Sequence, residues 1–165
     1  MQTLSLSLFA LTAEELMSRE VLTLTPWMSV QSAARALAQA HIGGAPVVDE
    51  RGQCVGVFSL TDYSRRARSD QGEAPSEPPV PGCVCSDWEV VQEQWQTLPA
   101  DIVKRYMTPD PVLVPPQTPL GELARLMVDA HIHRLIVAAE DRRPIGIVSS
   151  TDVLAAVTRA AREAD

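Results

Sequence analysis

Residues 17–64 align with residues 107–154 without a gap, at a constant offset of 90. Of the 48 aligned positions 13 are identical: Met17, Pro26, Ala34, Arg35, Ala40, His41, Ile42, Val47, Glu50, Gly56, Ser59, Thr61 and Asp62 each meet their like. Chance matching at this composition gives roughly three. The duplication constrains the fold more than any other feature, because whatever one copy builds the other must build too. Each copy reads as β-α-β-β-α. A unit of about fifty residues buries too little apolar surface to stand securely alone. Two such units sharing a core about a pseudo-two-fold axis are therefore expected, an α/β (α+β) architecture.

Local signals support this order. Thr12-Ala13-Glu14-Glu15 has capping-box spacing and predicts a short helix from Ala13 to Met17. Val21 to Leu24 reads as a strand. Ser29 caps a helix whose apolar positions Val30, Ala33, Ala34, Leu37 and Ala38 share one face, and Gly43-Gly44 closes it. Ala45 to Val48 and Cys54 to Ser59 read as a hairpin turning at Asp49-Glu50-Arg51-Gly52, and Thr61 opens a helix reaching Arg68. The second copy predicts a short helix over 102–107, a strand over 111–114 and a helix capped by Thr118 with Pro119 at its first position. The apolar face there is Leu120, Leu123, Ala124, Met127 and Val128. Strands over 135–138 and 145–149 and a closing helix over 153–162 complete it.

The expected organisation is a first repeat over 13–68, an insert over 69–100 and a second repeat over 101–162. Residues 69–82, rich in Pro, Glu, Ser and Gly without a period, predict a flexible linker. Residues 83–100 carry Trp88, Val90, Val91 and Trp95 and predict partial order.

The net charge of −7 disfavours nucleic acid and anionic membranes as partners. Three cysteines are too few and too odd a count for a disulfide framework, and fit a reducing cytoplasm. Met1 to Leu11 lacks the basic residues of a signal peptide, and no stretch is long enough to span a bilayer. No nucleophile–base set and no Gly-x-Gly-x-x-Gly loop is legible, so no enzyme is expected. Cys83-Val84-Cys85 lacks the partners of a four-ligand set. Its thiols are inert, or they are ligands completed by another chain, and no metal site is assigned.

The chemistry concentrates in two matching stretches, Gly56-Val57-Phe58-Ser59-Leu60-Thr61-Asp62 and Gly146-Ile147-Val148-Ser149-Ser150-Thr151-Asp152. Each runs from an apolar strand into a helix start, where free N–H groups and the positive end of the helix dipole lie. A carboxylate there accepts hydrogen bonds and suits a partner bearing hydroxyls, such as a ribose. Hydroxyls and N–H groups suit phosphate oxygens. Thr61 and Thr151 as simple helix caps is the plainer alternative. His41 and His131, at matching helix ends, read as caps complementing the dipole, with a ligand role as the other possibility.

These endings, the Met17 and Met107 starts, the strand–helix–hairpin order and the run His131-Ile132-His133-Arg134-Leu135-Ile136-Val137 resemble a tandem pair of CBS domains, the Bateman module, here as a stand-alone protein. The resemblance implies a regulatory module that binds an adenosine ligand (AMP, ADP, ATP or S-adenosylmethionine) without catalysis or catalytic cofactor. It implies a homodimer that signals to a separate effector protein. In the second repeat it implies that Asp152 holds the ribose, that Thr151 and Ser149 face ribose or phosphate, that Val112, Ile132 and Ile147 wall the adenine, and that His133 and Arg134 meet phosphate. The first repeat keeps Leu22, Ile42, Val57, Ser59, Thr61 and Asp62 but has Gly43 and Gly44 in place of His133 and Arg134, which implies a weaker site. Alternative functions are a structural or assembly CBS pair with vestigial pockets, and a metal or redox switch through Cys83 and Cys85.

Overall fold

The structure is a computed structural model that describes residues 8, 10–59, 63 and 101–162. The linker 69–82, the segment 83–100 with its cysteines and tryptophans, and the ligand candidates Thr61 and Asp62 lie outside the described residues, as does the helix expected after Thr61 apart from the helical Tyr63.

The described chain forms two compact units. The first-repeat unit is Leu22–Pro111, and the second-repeat unit joins Met1–Val21 to Val112–Asp165. In chain order the elements are α1 (Ala13–Leu16), α2 (Val30–Gln39), β1 (Gly44–Val48), β2 (Cys54–Ser59), α3 (Val103–Tyr106), β3 (Thr108–Pro109), β4 (Leu113–Val114), α4 (Leu120–Asp129), β5 (Arg134–Ala138), β6 (Pro144–Ser149) and α5 (Ser150–Arg162). The offset of 90 survives folding: α2 becomes α4, β1 becomes β5 and β2 becomes β6, each shifted by 90 residues (120 − 30, 134 − 44, 144 − 54). The strand registers agree as well. Gly44 pairs Ser59 where Arg134 pairs Ser149, and both hairpins slip register at the matching place, Val47/Val48 and Val137/Ala138.

Each sheet has three strands, ordered β1-β2-β3 and β4-β5-β6. In the first-repeat unit Leu24 adds a single parallel bridge to Val47, and β3 lies antiparallel on β2. In the second-repeat unit β4 runs parallel to β5, and Ser18 bridges Ile147 of β6. The lead segments are thus exchanged. The lead of the first copy, α1 through Ser18, completes the second-repeat unit, while α3 and β3 complete the first-repeat unit. Glycine makes the exchange possible. A Cβ on Gly146 would stand 2.7 Å from Met17 Cγ and 2.9 Å from its Cβ, and one on Gly56 would stand 2.9 Å from Met107 Sδ. The leads are tied on by main-chain bonds too: Leu120 N–H donates to Leu11 C=O (2.8 Å) and Val30 N–H to Asp101 C=O (2.7 Å).

One core packs α2 on its sheet through Val30, Ala33, Ala34 and Leu37, with Ala45, Val47 and Phe58. Tyr63 joins it, edge-on to Tyr106 at 5.0 Å, and burial pushes its phenol pKa up. The other core gathers Leu123, Met127, Leu135, Val137 and Val148 with Ala13 and Met17.

Several expectations are corrected. The strand over 21–24 shrinks to the bridge at Leu24, because Leu22 and Thr23 find no ladder partner among the described residues. Thr118 does not cap α4. Its hydroxyl donates to Pro115 C=O (2.8 Å) and the cap position falls to Pro119. Val128 is 69% exposed rather than on the buried face. Gly43-Gly44 does not close α2: His41 does, in a left-handed conformation (φ 54°), with His41 N–H on Ala38 C=O and Ile42 N–H on Leu37 C=O. His131 repeats this at φ 53°. This double bond is the Schellman closure, and it satisfies carbonyls that the helix end leaves open.

Candidate functional site

β6 hands over to α5 at Ser149, the N-cap of the helix. Its N–H (2.7 Å) and its hydroxyl (2.6 Å) both donate to Asp152 Oδ2, and Asp152 N–H returns to Ser149 Oγ at 3.3 Å. This is a capping box with aspartate at the third helical position. Thr151 is therefore not the cap. It is exposed at the second helical position. The spacing Ser-x-x-Asp was legible in the sequence as a capping signal, and the same spacing recurs at Ser59 and Asp62.

β5 begins beside this turn. Arg134 is the direct antiparallel partner of Ser149, and His133 C=O accepts Ser150 N–H at 2.9 Å. The structure thus brings His133, Arg134, Ser149, Thr151 and Asp152 to one end of the sheet. His133 and Arg134 are exposed, and Asp152 is half-buried.

Side-chain alternation sorts the apolar candidates. Leu135, Val137 and Val148 point into the core. Arg134, Ile136, Ile147 and Ser149 share the other face, since Ile136 pairs Ile147 and Arg134 pairs Ser149. Ile147 is half-buried on the site face. Ile132 is half-buried and packed against the core. Val112 is exposed and precedes β4, whose Leu113 is the neighbour of Ile136. Ile136 and Leu113 are the residues that the sequence reading missed on this face. Their signal was the period-two register opposite Ile147.

In the first-repeat unit, Gly44 pairs Ser59 and Val57 pairs Pro46, while Leu22 and Ile42 are half-buried against the core. Gly44 occupies the place of Arg134, and a Cβ on it would stand 3.0 Å from both Phe58 C=O and Ser59 Cβ. Gly43 is half-buried beside it. This end of the sheet therefore carries neither the histidine nor the guanidinium of the other copy.

A separate groove of about 540 Å³ lies in the first-repeat unit, lined among others by Pro26, Trp27, Arg51, Val55, Lys104 and Met107. It includes none of the residues expected to hold a nucleotide. Lys104 Nζ stands 4.6 Å above the ring of Trp27, and Asp49 is held in the turn by Arg51 N–H and Gln53 N–H, both at 2.9 Å.

A duplicated helix–hairpin unit with exchanged leads, whose two copies share the Ser-x-x-Asp spacing, defines a paired module. Residues 13–68 and 103–159 each match the CBS domain, and the chain belongs to that family as a tandem pair. Chloroplastic CBS domain-containing protein CBSX2 of Arabidopsis thaliana is 31% identical over 149 residues, which are 85% of this chain and 60% of that protein. The chloroplastic CBSX1 of the same plant is 30% identical over 144 residues, with the same shares. The chain thus spans about 60% of the length of these curated relatives. Among solved structures, CBSX2 in complex with AMP superposes with a TM-score of 0.67 at 25% identity, covering 92% of this chain and 98% of that one. The cytosolic domain of the Mg2+ channel MgtE in complex with ATP has a TM-score of 0.62 at 29% identity, covering 87% of this chain and 48% of that one. No helix among the described residues is long and apolar enough to cross a membrane.

Proposed function

We propose that this CBS pair is a regulatory module for an adenine nucleotide, and that the second-repeat unit carries its stronger site. The observation that carries the reading is the convergence of Arg134, Ser149 and Asp152 at one sheet end. A half-buried carboxylate offers acceptors to ribose hydroxyls. Arg134, which forms no ion pair among the described residues, offers a charge-assisted partner to phosphate. Half-buried Ile147, with its buried cross-strand partner Ile136, would give a base an apolar wall on the sheet face of Arg134 and Ser149. The relatives solved with AMP and with ATP support the ligand class. The first-repeat unit, with glycines in place of His133 and Arg134, is the weaker site. The module acts by binding, without a catalytic step, and passes its state to a partner protein in a reducing compartment such as the cytoplasm.

The working form is a homodimer. Val128 (69% exposed) on α4 and Leu154 (64%) and Val157 on α5 present apolar surface that a second copy would cover. A monomeric mass at micromolar concentration contradicts this part.

A structural reading with vestigial pockets is favoured by one observation, that the capping box alone accounts for Ser149 and Asp152. Calorimetric titration decides between them. Arg134→Ala should weaken AMP by roughly tenfold or more, since a hydrogen bond to a charged group contributes about 1.5–3 kcal/mol, and should leave adenosine nearly unchanged. Equal losses for AMP and adenosine refute the phosphate assignment. No binding of either ligand to the unaltered protein supports the vestigial reading.

A further inference from the structure

We infer that the groove at Trp27 in the first-repeat unit docks an acidic segment of a partner protein, one that sets an aromatic or large aliphatic residue among its carboxylates. The groove encloses about 540 Å³, with half-buried Pro26, Val55 and Met107 as an apolar floor and exposed Trp27, Arg51 and Lys104 around it. Trp27 is 62% exposed even with Lys104 Nζ 4.6 Å from its ring centre. Neither Arg51 nor Lys104 forms an ion pair among the described residues. The main chain on both sides of Trp27 is already fixed, because Lys104 N–H donates to Pro26 C=O and Val103 N–H to Met28 C=O, both at 2.9 Å. A partner therefore meets a backbone that needs little further ordering. A small-molecule pocket buries most of its ligand, whereas a groove that leaves its tryptophan this open suits a chain segment laid across it.

The duplication supplies an internal control. At the offset of 90, Trp27 corresponds to Gln117, Arg51 to Asp141 and Lys104 to Glu14. The aromatic ring is lost and both charges are reversed, at positions carried by three separate elements: the approach to α2, the β1–β2 turn and α3. The fold is built equally well with either set, so it does not demand the tryptophan or the cations. In the second-repeat unit the corresponding charges are also answered internally, Glu14 by Arg19 at 3.3 Å and Asp141 by Arg143 at 2.9 Å. In the first-repeat unit Arg51 and Lys104 are left for something else. Two carboxylates border the same groove. Asp49 is committed to the turn through Arg51 N–H and Gln53 N–H, and Glu50 recurs as Glu140 in the other copy, so neither distinguishes this groove. Tryptophan and arginine are the residue types that carry most binding energy at protein interfaces. Unpaired cations beside them select carboxylates and reject basic segments. The groove shares no residue with the nucleotide turn, and the inference stands whether or not a nucleotide binds there.

The experiment selects a phage-displayed library of random dodecapeptides on the unaltered chain and measures the enriched peptides by fluorescence anisotropy. The comparison protein carries Trp27→Gln, Arg51→Asp and Lys104→Glu, which are the residues the second copy holds at those positions. Enriched peptides should combine Asp or Glu with an aromatic or large aliphatic residue. Their affinity should fall about tenfold or more in the triple variant and should weaken as salt is raised. A second readout does not depend on how well the triple variant folds: in the unaltered chain the peptide should shift the indole N–H resonance of Trp27, assigned by its loss in Trp27→Gln. No enrichment, enriched peptides that are basic or uncharged, or equal affinity for both proteins would overturn the inference. A Trp27 indole signal that stays in place while others move would do the same. If the triple variant has a smaller mass in solution than the unaltered chain, a second copy covers the groove and the inference is likewise overturned.

Discussion

Replacing Gly146 by alanine tests the exchange of lead segments through one contact. Gly146 lies in β6 and is buried, and its backbone is not in the left-handed region. Alanine there should by itself help the strand by roughly 0.5–1 kcal/mol, because glycine loses more conformational freedom on folding. Met17 opposes this. The new methyl would stand 2.7 Å from its Cγ and 2.9 Å from its Cβ, well inside contact distance. Met17 is itself buried in the core with Ala13, Leu123 and Val148, so it has little room to retreat. Overpacking of this kind costs about 1–3 kcal/mol, which lowers Tm by about 2–10 °C in a chain of this size. Met17→Ala alone should cost about 2–3 kcal/mol through the cavity it leaves. The two changes should not add. With Met17 truncated the new methyl enters vacated space, so Gly146→Ala should become neutral or stabilising in that background. Urea unfolding of the four proteins measures the cycle. Additive effects within about 0.5 kcal/mol would show that Met17 does not pack on Gly146, and the exchange of leads would lose its support.

Three further outcomes follow from the same structure. His131→Gly should stabilise the chain by about 0.5–1 kcal/mol, because glycine holds the left-handed closing position without the Cβ strain that histidine bears at φ 53°; a lower Tm would mean that the imidazole stabilises the helix end. Gly44→Ala should destabilise, since Phe58 C=O and Ser59 Cβ stand 3.0 Å from the new methyl, and unchanged thermal unfolding would show that the first unit could have carried an arginine there. Two carboxyls set an acid limb. Glu15 is held below its usual pKa by Thr12 N–H and then the Thr12 hydroxyl, and Asp101 chiefly by Ile102 N–H, with Tyr106 and Arg105 adding to it. Folded pKa values that lie below the unfolded ones, near 4, give stability that is complete above those values and is lost as pH falls through the folded ones. The double variant Glu15→Gln, Asp101→Asn should flatten stability below about pH 4, and an unchanged acid limb would contradict the assignment.

The duplication carried most of the fold into the sequence. Period and spacing placed α2, α4 and both hairpins, because helix and strand faces impose patterns on apolar residues that survive in one copy or the other. The crossing of the leads was not legible. Nothing in the neighbourhood of Met17 in the sequence marks Gly146 as its partner, 129 positions away (146 − 17). Helix ends were read through residue preference, and geometry overrode it. Gly43-Gly44 looked like a stop, yet the closing left-handed residue is His41, two positions earlier, with Ile42 folding back over Leu37. Thr118 looked like a cap, but its hydroxyl turned to Pro115. At the site, Ser149, Asp152 and Arg134 were legible as residues. What joins them was not, because the strand register that sets Arg134 opposite Ser149 is a long-range choice. Thr151 has the residue type of a cap, but Ser-x-x-Asp is the spacing that carries it.

In the proposed function Asp152 is the group that holds the ligand. The direct measurement is calorimetric titration of AMP into the unaltered chain and into Asp152→Ala, with thermal unfolding confirming that the variant remains folded. Saturable binding of AMP to the unaltered chain, weakened by roughly tenfold or more in Asp152→Ala, is the predicted result. AMP affinity that is the same in both proteins would contradict it.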